Sequence, residues 1–167
     1  MEQTDTHPID APERRRLPLL LRRAWYGLNQ SFRRRILHLR VTPDQFTVMR
    51  TLTEGNPKGL TQRELTDIMS SDANTIASLL ERMEALGLVE REPHEKDRRA
   101  YRILLKPIGL RKYEEVREIA IGLQTSILSV LPEGKREEFL EHLALVADAC
   151  RVVAEKTPNR GKLDKRA

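Results

Sequence analysis

Residues 61–105 read TQRELTDIMSSDANTIASLLERMEALGLVEREPHEKDRRAYRILL. The order of signals in this stretch predicts helix, turn, helix and then a two-stranded hairpin with a charged tip. Thr61 and Glu64 form a T-x-x-E capping box, in which each residue satisfies one unpaired N–H at the helix start. A short helix through Leu65, Ile68 and Met69 follows, until Ser70-Ser71-Asp72 interrupts it and caps a second helix. In that second helix Ile76, Leu79, Leu80, Met83 and Leu86 recur at helical spacing and predict one buried stripe, and Gly87 ends it. Asn74, Thr75, Ser78 and Arg82 fall on the opposite face. A short helix braced against a second helix with a small polar outer face is the shape that enters a DNA major groove. Leu88 to Glu92 and Ala100 to Leu105 have strand character, the latter through alternating Tyr101, Ile103 and Leu105. The turn between them, Pro93 to Arg99, is too polar for a core and too charged for a minimal connection.

Here the chain resembles the MarR family of winged helix-turn-helix regulators. The resemblance is carried by LLERMEALGLVERE (79–92), by the DRR of Asp97 to Arg99, and by I-x-L-x-x-x-G from Ile103 to Gly109. It spans roughly residues 15–153. It implies a mainly α fold with a small β-hairpin wing, in which a winged helix-turn-helix unit (41–105) is flanked by long dimerisation helices (13–40 and 107–155). Asp97 and Arg99 match the family's Asp-x-Arg pair at the wing tip. The resemblance implies that Arg99 enters the minor groove while Asp97 holds its guanidinium. A planar cation suits the negative potential of a narrow A·T minor groove. Lys96 and Arg98 become phosphate contacts, Arg82 a bidentate guanine reader, and Asn74, Thr75 and Ser78 base-edge or phosphate contacts. Asp72 reads as a helix cap, since a carboxylate beside phosphates is repelled.

Outward from the winged unit, the chain predicts three long amphipathic helices. The first, from about Glu13 to Leu39, carries Leu17, Leu21, Trp25, Leu28, Phe32, Ile36 and Leu39 in steps of four and three. Thr42-Pro43 opens the next, with Phe46, Met49 and Leu52 facing inward, and Leu60 suggests a very short third strand. Pro107 starts a helix to about Val130, with Leu110, Tyr113, Val116, Ile119, Leu123 and Ile127 inside. Pro132 breaks the chain. The last helix, Glu133 to about Glu155, repeats Phe139, Leu143, Val146, Cys150 and Val153 in a coiled-coil rhythm. That seam asks for a partner: another helix of the same chain, or a second copy. The resemblance favours the second copy, giving a two-fold dimer that reads a near-palindrome. Residues 1–12 and 156–167 read as a disordered tail and a loose basic tail.

The whole chain of 167 residues carries a net charge of +5, which favours a polyanionic partner. Between Lys58 and Arg102, however, eight basic residues face nine acidic ones, so cations there must act by placement. Nine arginines against one acidic residue lie between Glu13 and Arg40. Arg33, Arg34, Arg35 and Arg40 are either a solvated helix face or phosphate contacts. No apolar run approaches the roughly 18 residues of a membrane span. The first residues lack the apolar core of a signal peptide, and the single cysteine, Cys150, suits a reducing cytoplasm.

No catalytic constellation is visible. His7, His38, His94 and His142 lack ligand spacing, no serine has a nearby histidine base, and no glycine-rich phosphate loop exists. Neither metal nor cofactor is expected. Cys150 reads as a small buried hydrophobe, and the family's redox sensors place their cysteine near the N-terminus instead. The resemblance also implies a site for small aromatic acids or phenols between the helical part and the winged unit. Arg22, Trp25, Tyr26 and Asn29 supply a suitable mix of cation, rings and amide, with core packing of Trp25 as the plainer alternative. The expected protein is a cytoplasmic, sequence-specific regulator of transcription, a homodimeric repressor that a small ligand releases from double-stranded DNA. The competing reading is an architectural or partner-recruiting winged-helix protein with no effector.

Overall fold

A computed structural model describes Ala11, residues 16–97 and residues 99–157. The predicted tails therefore fall largely outside the described residues, and Arg98 lies outside them too. The chain divides into two compact units, one ending at Leu123 and the other starting at Gln124.

The first unit begins with α1 (Arg16–Ile36), which ends in a 3-10 turn, Leu37–Leu39. Helix α2 (Pro43–Glu54) starts as the sequence predicts. Thr42 Oγ1 accepts from the Gln45 N–H at 3.2 Å and Gln45 Oε1 accepts from the Thr42 N–H at 3.0 Å. Strand β1 (Leu60–Thr61), helices α3 (Gln62–Ile68) and α4 (Ala73–Ala85), and strands β2 (Val89–Pro93) and β3 (Tyr101–Leu105) follow. The sheet is antiparallel in the order β1-β3-β2, with Leu60 opposite Ile103 and Arg91 opposite Ile103 on the other side. The fold is thus mainly helical with a small three-stranded sheet: a winged helix-turn-helix unit with long terminal helices.

Burial of aliphatic side chains organises this unit. Ile36, Met49, Leu65, Ile76, Leu80, Met83, Ile103 and Val116 are almost completely buried in one cluster. Phe32 of α1 meets Phe46 of α2 edge-on at 5.3 Å, and Phe46 stacks on Tyr113 at 5.7 Å. Tyr113 belongs to α5 (Pro107–Leu128), whose start lies against the backbone after α4. A Cβ on Gly109 would stand 2.2 Å from the Leu88 carbonyl oxygen, so this close approach needs a glycine at the end of the I-x-L-x-x-x-G motif.

Several predicted core positions lie at the surface. Ile68 and Leu86 are exposed because each ends its helix at the solvent edge of a turn. Leu110 and Ile127 on α5 are exposed as well. On α1 Ile36 is buried and Leu21 and Phe32 are partly so, as is Leu39 in the turn after it, whereas Leu17, Trp25 and Leu28 are exposed. Periodicity defines an apolar face but not what covers it.

In the second unit, Pro132 leads into a 3-10 turn, Glu133–Lys135, and α6 (Arg136–Lys156) starts three residues later than predicted. Arg136 Nε donates to the Leu131 carbonyl at 3.2 Å and closes that turn. No residue of α6 is buried. Phe139, Leu143, Cys150 and Val153 of the heptad seam are exposed, so Cys150 is not the buried hydrophobe that its spacing suggests. Among the described residues no helix is long and apolar enough to cross a membrane.

Candidate nucleic-acid interface

Local hydrogen bonds set the angle between α3 and α4. Glu64 N–H donates to Thr61 Oγ1 at 3.2 Å, while the Thr61 N–H and hydroxyl donate to Glu64 Oε2 at 2.6 and 2.8 Å. These two donors hold the Glu64 carboxyl below the usual range. At the far end of α3, Ser70 takes a left-handed conformation (φ 49°), and the Ser71 N–H reaches back to the Thr66 carbonyl at 3.1 Å. Asp72 then caps α4: Oδ1 accepts from the N–H groups of Asn74 (3.1 Å) and Thr75 (2.9 Å), and Oδ2 from the Thr75 hydroxyl at 2.6 Å. The Thr75 hydroxyl, then its N–H, keep the Asp72 carboxyl below its ordinary range. Gln62 Nε2 donates to the Ala73 carbonyl at 3.1 Å and ties the two helix starts together. At its C-terminus α4 closes through Gly87 (φ 69°), with the Leu88 N–H on the Met83 carbonyl at 2.9 Å.

The outer face of α4 is as predicted in composition but not in freedom. Asn74, Thr75, Ser78 and Arg82 are all exposed. Thr75 has committed its hydroxyl proton to Asp72, so toward a base edge it offers only acceptor lone pairs. Arg82 also borders a cleft of about 430 Å³ between α1, the start of α2 and α4, facing Trp25, Asn29 and Arg33. Two of the four predicted ligand residues, Trp25 and Asn29, line this cleft; Arg22 and Tyr26 do not. Trp25, Asn29 and Arg33 step by four along one helix face; Arg22 shares that face about one turn before Trp25, beyond the cleft, and Tyr26 lies round its side. The cations at the cleft are Arg33 and Arg82, and Asp44 also lines it.

The wing departs most from expectation. Asp97 does not hold the Arg99 guanidinium; its Oδ1 accepts from the Arg99 backbone N–H at 2.9 Å. The Ala100 N–H closes the same turn on the Asp97 carbonyl at 3.0 Å. Asp97 therefore shapes the backbone that displays Arg99. His94 helps: its Nδ1 accepts from the N–H groups of Lys96 and Asp97, each at 3.2 Å. Lys96 and Arg99 are exposed at the tip. Below the tip Arg102 acts as a hub, a role the sequence reading missed. Its Nε donates to Glu95 Oε2 at 2.8 Å and its Nη1 to the Gly59 carbonyl at 3.1 Å, with Lys58 Nζ 3.8 Å from Glu95 Oε1. Arg102 pulls the Glu95 carboxyl down from 4.5 to about 2. Arg91 Nε lies 3.2 Å from Glu84 Oε2, an ion pair too poorly aligned to count as a hydrogen bond.

Residues 41–100 match the MarR family model. Over that stretch the winged unit is similar to MarR-family proteins. Solved MarR-family structures share the fold over most of the chain. The Staphylococcus aureus MepR–DNA complex is 21% identical with a TM-score of 0.73, covering 79% of this chain and 96% of that one. A MarR regulator from Methanosarcina mazei Go1 is also 21% identical, with a TM-score of 0.74 and coverage of 82% and 97%. The repressor CouR bound to a 23-mer DNA duplex is 23% identical, with a TM-score of 0.71 and coverage of 78% and 92%. No curated protein matches the sequence. In this unit the capped α3–α4 pair and the wing share one buried core.

Proposed function

We propose that the protein is a sequence-specific transcriptional repressor that binds double-stranded DNA as a homodimer in the cytoplasm. The observation that carries this reading is the capped α3–α4 pair, which presents Asn74, Ser78 and Arg82 next to a wing that displays Arg99. One element suits a major groove and the other the adjacent minor groove. MepR and CouR are both seen on DNA with this fold. The uncovered seam of α6 supports pairing with a second copy, which sets two α4 helices on successive grooves. A small aromatic or phenolic anion that enters the cleft between Trp25, Arg33 and Arg82 releases the DNA, by favouring a spacing of the winged units that no longer fits those grooves. The cleft favours this over the architectural reading, which has no use for it.

The test is selection of a binding sequence from random duplexes, followed by titration of the selected and scrambled duplexes. The repressor reading expects a near-palindrome. It also expects Arg82→Ala to cost about 1–3 kcal/mol on the selected site alone, with preference relaxed at one base position. Binding that does not discriminate the two duplexes would point to the architectural alternative. An equal loss on both duplexes would make Arg82 a phosphate anchor.

A further inference from the structure

A helix in a major groove and a wing in the neighbouring minor groove straddle one sugar–phosphate strand. On this protein the place where that strand must pass is a cleft of about 490 Å³, walled by Gln62 and Arg63 of α3, Ala73 of α4, Arg91 of β2, and Arg99 and Tyr101 of the wing. Among the described residues three arginines border the cleft and no acidic residue does. The surrounding stretch from Lys58 to Arg102 has nine acidic residues against eight basic ones, so this sorting of charge is local and selective. The walls are braced. Gln62 is bonded to the Ala73 carbonyl, Arg91 Nε lies 3.2 Å from Glu84 Oε2, and Asp97 Oδ1 accepts from the Arg99 N–H. The helix-start carboxylates of Glu64 and Asp72 are each occupied by donors of their own caps.

We infer that this cleft seats one phosphodiester of the DNA backbone, with Arg63 and Arg91 as its cations. The inference rests on the DNA-binding reading above and adds two contacts that sequence alone does not mark. Neither residue reads bases. Their role is to fix the strand between the two reading elements, so that α4 and the wing engage in register.

The experiment uses the full chain and its selected duplex. Arg63 is exposed on the first turn of α3, and Arg63→Ala is expected to keep the wild-type melting temperature. It should weaken selected and scrambled duplexes by the same factor, on the order of tenfold at low salt, and flatten the slope of log K against log salt by about 0.9. Arg91→Ala should flatten the slope likewise, and Arg63→Lys and Arg91→Lys should each restore most of what the corresponding Ala variant loses. A scan of single methylphosphonate substitutions, each neutralising one phosphate, should find one position that weakens the wild type and leaves Arg63→Ala unaffected. That position should lie between the bases read by α4 and the minor groove entered by the wing. If both arginine variants keep the wild-type slope and every methylphosphonate acts on them as on the wild type, the seat is refuted and the repressor reading stands. A wild type that binds no duplex overturns both.

Discussion

Replacing Arg102 with Ala removes the side chain that fastens the wing to the body of the winged unit. Two contacts are lost. The bond from Nη1 to the Gly59 carbonyl is partly buried, at 3.1 Å, and joins residues 43 apart in sequence. A hydrogen bond from a charged donor contributes about 1.5–3 kcal/mol, and partial exposure places this one near the lower end. The bond to Glu95 lies at a half-exposed carboxylate and adds little to global stability, but it is the one that holds the wing. Arg102→Ala should therefore lower the unfolding free energy by about 1.5–2 kcal/mol, or roughly 3–8 °C in melting temperature for a chain of this size. The freed tip must then be ordered on DNA. Immobilising Lys96 and Arg99 costs about 0.5–1.5 kcal/mol each, which corresponds to a loss of roughly 5- to 150-fold in affinity. Glu95→Ala separates the two effects, because it leaves the Gly59 bond in place: melting should barely move while DNA binding falls. Circular dichroism melts and fluorescence anisotropy at fixed salt measure both. Wild-type operator affinity in both variants would show that the Arg102 hub does not position the wing. The pH dependence follows from Glu95, whose carboxyl is depressed to about 2 in the folded protein. Its contribution is complete above the ordinary value of 4.5 and disappears as pH falls through about 2, so the hub should be constant from neutral pH down to about 4.5.

Truncation after Pro132 deletes the seam of α6 and should leave a monomeric or aggregated protein; a well-behaved dimer in light scattering would contradict the proposed interface. Arg99→Ala should weaken operator binding by about 1–3 kcal/mol without changing the oligomeric state, and unchanged affinity at fixed salt would remove the wing from the mechanism. Asp97→Asn should bind nearly as well as wild type, because an amide oxygen can still accept the Arg99 N–H, whereas Asp97→Ala should lose affinity; equal losses in both would restore a role for the carboxylate's charge. Ser70→Gly relieves a left-handed backbone and should raise stability by about 1 kcal/mol, read from denaturant melts.

What could be read from the chain divides by the distance over which each interaction acts. The caps at Thr42, Thr61 and Asp72 and the stop at Gly87 all join residues within five positions of each other, so short patterns contain both partners. Strand β3 was legible for a related reason: alternation of Tyr101, Ile103 and Leu105 marks a strand whatever it pairs with. Interactions between distant segments left no such mark. Nothing near Arg102 announces Gly59, and nothing near Arg63 announces Arg91 or Arg99 across the cleft. At Asp97 the carboxylate meets a different partner from the one expected. A carboxylate two residues before an arginine can take either the guanidinium or the backbone N–H, and the turn closed by Ala100 brings the N–H to it at 2.9 Å. The ligand residues show the same limit in helical terms. Four neighbours on α1 were candidates, but only Trp25 and Asn29 line the cleft at the start of α2 and Arg82, and that meeting is decided by packing around Phe32, Phe46 and Tyr113. The apolar stripe on α6 is the remaining case: its period is plain in the sequence, yet the folded chain leaves it uncovered, so its meaning lies in a partner outside the single chain.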